Sequence, residues 1–336
     1  MKFTRILTER RFISYHFWDI VYEWENEISS SLNIPLLSTP KNNILYKSSN
    51  IIYRKTKVID NKLFYGKLNE FLYEILNYTT EFSLYFAMTP TYIKSYTNSR
   101  KTIPVIIDFW DKSKIELFKK IYSKSPYILI TSLEVLNYLK ENNIKNKLIH
   151  FPVSLPSIYK LKLNQVFEKR YDIVWAGRRN SVLWNYLKEY GKQNPQIEYL
   201  RAFQRKGVFY YNSNKRGIVE IVNNREEYMK LIRSARIVFY TTPGIDDGES
   251  RTNGFNPVTP RLFELLSAGC QVIARYPKNI DTDFFQLETL CPSINSYDDF
   301  QNQLNIALNS AQPIKKNSEY LLNHYTSNRI KILNEI

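Results

Sequence analysis

The stretch from Asn256 to Tyr276, N-P-V-T-P-R-L-F-E-L-L-S-A-G-C-Q-V-I-A-R-Y, most constrains what this chain can fold into. Thr259 followed by Pro260 reads as a helix start, because a threonine oxygen accepts from an orphan amide and proline in the first turn gives up no needed N–H. Leu262, Leu265 and Leu266 then share one face at helical spacing, Gly269 stands where a C-terminal glycine would, and Cys270 to Ala274 is a short apolar strand. Helix, tight turn and buried strand in that order form one step of an α/β layered fold.

Arg261 and Glu264 sit three apart near that helix start, off the apolar stripe, and so project together. A helix N-terminus suits phosphate, arginine adds a fixed fork of donors, and a carboxylate beside it accepts from the two hydroxyls of a ribose. The pair fits a nucleoside diphosphate. It also fits an i, i+3 surface ion pair on an ordinary amphipathic helix, and spacing alone does not separate the two.

With 336 residues the chain has room for two domains, and 43% hydrophobic content supports packed cores. The prolines of F-P-V-S-L-P mark a boundary near Pro152 to Pro156, dividing the chain into 1–155, 156–316 and a closing helix over 317–336. Cys270 and Cys291 are too few for a disulfide framework and point to a reducing compartment. His16, His150 and His324 show no metal-ligand spacing. The start M-K-F-T-R-I-L-T lacks an apolar core of signal-peptide length, and no stretch approaches the ~20 apolar residues of a spanning helix. A cytoplasmic protein is expected.

The net charge of +15 allows nucleic acid, an anionic membrane surface or anionic small molecules as partners. The excess is spread over both halves, with no run of five basic residues and no recognition-helix or RNA-binding signature, so nucleic acid is not expected.

In chain order, Phe17, Ile20, Val21 and Trp24 mark a helix with His16 at its start, where the histidine is a cap or core group or a catalytic one. Residues 44–59 suggest strands and 63–78 a helix. Ser83 to Met88 and Ile103 to Phe109 read as buried strands, the second leading to Asp108 and Asp111. An aspartate beyond a strand's carboxyl end is a candidate general base for an acceptor hydroxyl, or the cap of the next helix. That helix, K-S-K-I-E-L-F-K-K-I-Y-S-K, sets Ile115, Phe118, Ile121 and Tyr122 against five lysines, as a solvated core helix does and as a helix lying on an anionic membrane does. Strand, helix and strand follow over 127–151.

The second half opens with Y-D-I-V-W-A-G-R-R-N, a strand ending on Gly177, Arg178 and Arg179 before a helix from Ser181. Glycine there lets a ligand approach the backbone, and either arginine suits a diphosphate. A strand over 197–203, a helix over 225–235 and a strand over 236–241 precede the long polar loop T-P-G-I-D-D-G-E-S-R-T-N-G-F-N-P; loops of that length are often functional. Asp281-Thr-Asp283 has the D-x-D spacing of divalent-metal transferases but reads as a helix cap and turn, and Asp246-Asp247 lies in the loop. Helices over 297–308 and 319–333 close the chain.

The segment R-L-F-E-L-L-S-A-G-C-Q-V-I, preceded by that loop and the R-I-V-F-Y-T-T strand, resembles the donor-site signature of glycosyltransferases with two facing Rossmann-like domains, the GT-B fold. In order of elements the similarity covers Tyr171 to Leu308. It implies an α/β fold of two such domains with the C-terminal helix crossing back onto the first. The activity it implies is transfer of a hexosyl or deoxyhexosyl unit from a nucleotide-sugar to a glycan or lipid-linked acceptor in bacterial surface-polysaccharide or glycolipid assembly, without metal or further cofactor, in the cytoplasm or at the inner face of the plasma membrane.

The residues carried over are Gly177, Arg178 and Arg179 at the diphosphate, Thr241, Arg251, Thr252, Asn253 and Gly254 around donor sugar and phosphate, and Thr259, Arg261 and Glu264 at the donor helix. His16 and Asp108 are the catalytic candidates on the acceptor side. Many retaining members carry an acid eight positions before the helix glutamate, where this chain has Asn256. That departure keeps a sugar- or nucleotide-binding module without activity as the main rival. A basic nucleic-acid binder is a lesser one, and G-x-G-x-x-G, the oxidoreductase fingerprint, is absent.

Overall fold

The structure is a computed structural model and describes residues 2–11, 13, 16–38, 81–88, 90–91, 97, 99–205, 208–246 and 248–336. The strands and helix expected over 44–59 and 63–78, and Asp247 of the long polar loop, lie outside the described residues. The described chain divides into two compact units, one running to Pro152 and taking in Arg329–Ile336, the other spanning Val153–Asn328.

The first unit is built on a parallel sheet in the order β2-β1-β3-β4-β5-β6: β1 Phe3–Thr8, β2 Leu36–Ser38, β3 Phe82–Ala87, β4 Thr102–Ile106, β5 Tyr127–Ile130 and β6 Lys147–His150. Its central strands read as unbroken apolar runs because a parallel sheet is covered on both faces. Ile6, Leu84, Ile103, Val105 and Leu129 are fully buried. The Asp19–Leu32 helix lays Trp24 and Ile28 on this sheet, with Trp24 6.1 Å from the Phe86 ring.

Asp111, not Asp108, is the cap expected after β4: its carboxylate accepts from the Ser113 N–H at 3.1 Å and starts the turn that leads into the Ile115–Tyr122 helix. Phe118, Ile121 and Tyr122 of that helix are buried, Phe118 edge-on to Phe109 at 5.1 Å. Its apolar face is therefore core, and Glu116, Lys119 and Lys120 lie on the outer side, with Lys119 Nζ 2.6 Å from the Glu116 carboxylate.

The second unit has the order β10-β9-β8-β7-β11-β12: β7 Tyr171–Trp175, β8 Tyr199–Arg205, β9 Val208–Ser213, β10 Gly217–Val222, β11 Ala235–Thr241 and β12 Gln271–Arg275. Strands β8, β7, β11 and β12 are parallel, while β9 and β10 extend the sheet as antiparallel hairpins. The Ser181–Gln193 and Tyr297–Asn309 helices bury Leu183, Leu187, Phe300 and Leu304 against Ile173, Trp175 and Phe239. Each such side chain contributes about 1.5–3 kcal/mol by leaving water.

Two expectations need correction. The closing helix is two helices, Ile314–Leu321 and Thr326–Glu335, because Leu155 bridges to Tyr325 and takes 324–326 into its hydrogen bonding. From Arg329 the last helix belongs to the first unit, where Arg329 Nε donates to the Pro152 carbonyl at 2.9 Å. And Thr259 does not cap the Arg261–Ser267 helix with its hydroxyl, which is buried and accepts from no helix amide. The Thr259 carbonyl serves instead, accepting from Leu262 N–H at 3.1 Å, while its own N–H donates to the Tyr240 hydroxyl at 3.0 Å. No helix among the described residues is long and apolar enough to cross a membrane.

Candidate nucleotide site

In an open α/β sheet, ligands bind beyond the carboxyl ends of the strands where the connections diverge. In the second sheet that place lies between β7, which leads to β8 on one side, and β11 on the other. A cavity of about 670 Å³ opens there, walled by the Gly177–Ser181 turn after β7, by Thr241 and Thr242 after β11, by Arg201 and Ala202 of β8, and by Ile245, Asp246 and Glu249 of the loop. The N-terminus of the 13-residue Ser181–Gln193 helix borders it, capped by Asn180, whose Oδ1 accepts from Leu183 N–H at 2.9 Å. Such an end attracts anions.

The turn is fixed locally and from behind. Trp175 Nε1 donates to the Arg178 carbonyl at 2.8 Å. Gly177 has φ +143°, and a Cβ there would stand 2.9 Å from Arg261 Cδ, so glycine is required because Arg261 packs directly against the turn. Arg261 Nη1 donates to the Ala176 carbonyl at 3.0 Å and to the Tyr228 hydroxyl at 3.1 Å. Glu264 is buried and ion-paired with Arg225, Nη1 to Oε1 at 2.7 Å, while Arg225 stacks over the Tyr159 ring at 5.2 Å. Burial opposes ionisation of Glu264, but the Arg225 and Arg261 charges outweigh it and hold its carboxyl below the ordinary range. Arg261 and Glu264 thus form the support under the turn and are not walls of the cavity.

The polar loop is folded on itself. Asn256 Oδ1 accepts from Gly244 N–H and from the Thr242 hydroxyl, both at 3.0 Å, and its Nδ2 donates to the Gly254 carbonyl at 3.2 Å. Asn256 is thus the clasp of the loop. Asp246, in left-handed backbone at φ 50°, accepts from Arg275 Nη2 and Asn180 Nδ2, each at 2.7 Å. Glu249 accepts from Arg178 Nε at 2.7 Å on one oxygen and from Arg251 on the other. Burial raises the Glu249 carboxyl pKa less than the Arg178 and Arg251 interactions lower it, so it stays below its usual value.

Of the residues expected at the donor, Gly177, Arg178, Arg179 and Thr241 wall the cavity. Arg251 reaches its rim through Glu249, Thr252 is buried within the loop, and Asn253 and Gly254 are exposed. His16 and Asp108 lie in the first unit: His16 is exposed in a short turn with Nδ1 3.6 Å from Asp19, and Asp108 is half-buried after β4. Asp281 and Asp283 sit in the Ile280–Phe284 helix, which Asn279 caps, and among the described residues no group of three or more His, Cys, Asp or Glu is placed to hold a metal ion.

Sequence reasoning missed Arg225, Tyr228, Glu249 and the aromatic wall, where the Arg201 guanidinium lies 4.3 Å over the Trp184 ring. Glu249 stood in plain view two residues before Arg251 in the loop, but the others carry no local signal.

No family model and no curated protein matches this chain. Among solved structures it is similar to the N-terminal domain of trehalose-6-phosphate phosphatase from Candida albicans, at 12% identity and TM-score 0.54, covering 93% of this chain and 87% of that one. It is also similar to an α,α-trehalose-phosphate synthase (UDP-forming) from Burkholderia vietnamiensis, at 8% identity and TM-score 0.50, covering 88% and 85%. At these identities the likeness is one of fold. With two six-stranded, mostly parallel α/β units and these neighbours, the chain has the GT-B fold that its donor-helix segment resembles.

Proposed function

We propose that this protein is a glycosyltransferase that binds a nucleotide-sugar in the second unit and transfers its sugar to a glycan or lipid-linked acceptor. The observation that carries the reading is the cavity at the β7/β11 divergence, where Arg178, Arg179 and a helix N-terminus converge on one opening. Arginine forks and backbone amides offset the charge that develops on a leaving diphosphate, which is how such a site speeds sugar departure without a metal. The UDP-forming synthase among the structural neighbours supports the donor class. The reading places the protein in surface-polysaccharide or glycolipid assembly in the cytoplasm or at the inner face of the plasma membrane. There the outward lysines of the Ile115–Tyr122 helix would give an electrostatic contact with anionic lipid.

One observation favours a second reading, a binding module without activity: the Asn256 amide is engaged in the loop clasp and offers no acid near the donor. A thermal-stability panel of nucleoside diphosphates and nucleotide-sugars tests the donor site. A ligand at about a hundred times its Kd stabilises by about 2.7 kcal/mol. Stabilisation by one base family that Arg178→Ala removes supports the site, and release of free sugar or acceptor product from that donor separates enzyme from module. A panel without effect would sink both readings.

A further inference from the structure

Glu249 occupies an odd position for a site that is to receive an anion. Its carboxylate stands in the cavity wall, held by Arg178 Nε at 2.7 Å on one oxygen and by Arg251 on the other. Two guanidinium groups that would otherwise repel each other are thereby held on either side of a single negative group. The backbone under it is independently fixed: Glu249 N–H donates to the Pro243 carbonyl at 2.8 Å and Gly248 N–H to the Ile245 carbonyl at 3.0 Å. A Cβ on Gly248 would lie 2.5 Å from the Pro243 oxygen, so this turn is tight.

Resting on the donor-site reading above, we propose that the Glu249 carboxylate is an internal stand-in for one phosphoryl group of a nucleoside diphosphate. It keeps Arg178 and Arg251 in place while the cavity is empty and is displaced when the diphosphate enters. A diphosphate brings more charge and more acceptor oxygens than one carboxylate, so the exchange favours the ligand. The ligand nevertheless competes with an intramolecular anion, which lowers its affinity and lets product leave. Non-specific monoanions are disfavoured for the same reason. Glu249 on this view sets selectivity for a diphosphate and is not a ligand contact.

The two roles predict opposite signs. Calorimetric titration with UDP, GDP, ADP, dTDP and inorganic pyrophosphate would compare the wild type with Glu249→Gln, Glu249→Ala and Arg178→Ala, with melting curves for each. Displacement predicts roughly three- to tenfold tighter binding by both Glu249 variants, the scale of one partly screened ion pair, and loss of binding in Arg178→Ala. The gain is largest for pyrophosphate, which has no other contacts to contribute. Unchanged or weaker binding by folded Glu249→Gln and Glu249→Ala overturns the proposal while leaving the donor site standing. If no probe binds any of the four proteins, the donor-site reading itself fails and the proposal falls with it.

Discussion

The two sheets present the same topological place in opposite electrostatic dress. At the end of β1 in the first unit, the buried Glu25 accepts from the Thr8 hydroxyl at 2.7 Å and from Arg10 Nε at 3.0 Å, and burial raises its carboxyl to about 7 despite both partners. At the ends of β7 and β11 in the second unit, Glu249, Asp246 and Glu264 are each matched by arginine and held ionised, and the space between the strands is open. The topology makes the strand ends of both sheets the place where a crevice can form, and a cavity opens at those of the second. In the first, the side chains at the end of β1 engage one another.

The largest expected effect probes the support under the cavity of the second sheet. Glu264→Ala or Arg225→Ala strands a buried partner charge, so either should cost about 3–5 kcal/mol in denaturant unfolding, with the double variant costing less than the two summed. If Glu264→Ala were as stable as the wild type and lost only nucleotide binding, the carboxylate would be a ligand contact and the contrast between support and wall would dissolve.

Next comes the strand end of the first sheet. Glu25 holds its proton to about pH 7 when folded against 4.5 when unfolded, so the folded state binds more protons between these values. Its contribution is fully present below pH 4.5 and is lost as pH rises through 7, on the order of 3 kcal/mol in all. Glu25→Gln should flatten the stability profile across this window and melt higher than the wild type at pH 8. A wild-type profile flat across the window would remove the contrast from the other side.

Asn256→Ala deletes the loop clasp and should cost about 1–3 kcal/mol while speeding proteolysis at 243–255; unaltered cleavage would mean the loop holds without it. Smallest is Arg201→Ala, which lifts a guanidinium from Trp184 and should cost about 0.5–1 kcal/mol. It should also change the tryptophan emission of the empty cavity.

The comparison also shows what the sequence could reveal. Strands β3, β5, β7 and β11 were legible as apolar runs, and the places of Gly177, Arg178, Arg179 and Thr241 at strand ends were legible because a strand's end is a local property. β1 escaped notice because F-T-R-I-L-T mixes polar with apolar residues, and β9 and β10 because hairpins on a parallel sheet break the expected alternation. The pairing of Glu264 with Arg225 across 39 residues, and the choice of Tyr240 as partner for Thr259 N–H, are decided by packing. A helix-start rule sees neither. Reading Arg261 and Glu264 from spacing found the right helix and left their partners open.

Hydrogen–deuterium exchange with and without the best-binding nucleoside diphosphate distinguishes the two strand ends. A nucleotide bound in the second unit protects 176–181 and 242–256 and leaves the strand end at 8–11 unchanged. Protection at 8–11 with none at 176–181 would contradict that assignment, because the anion would then have chosen the strand end beside Glu25.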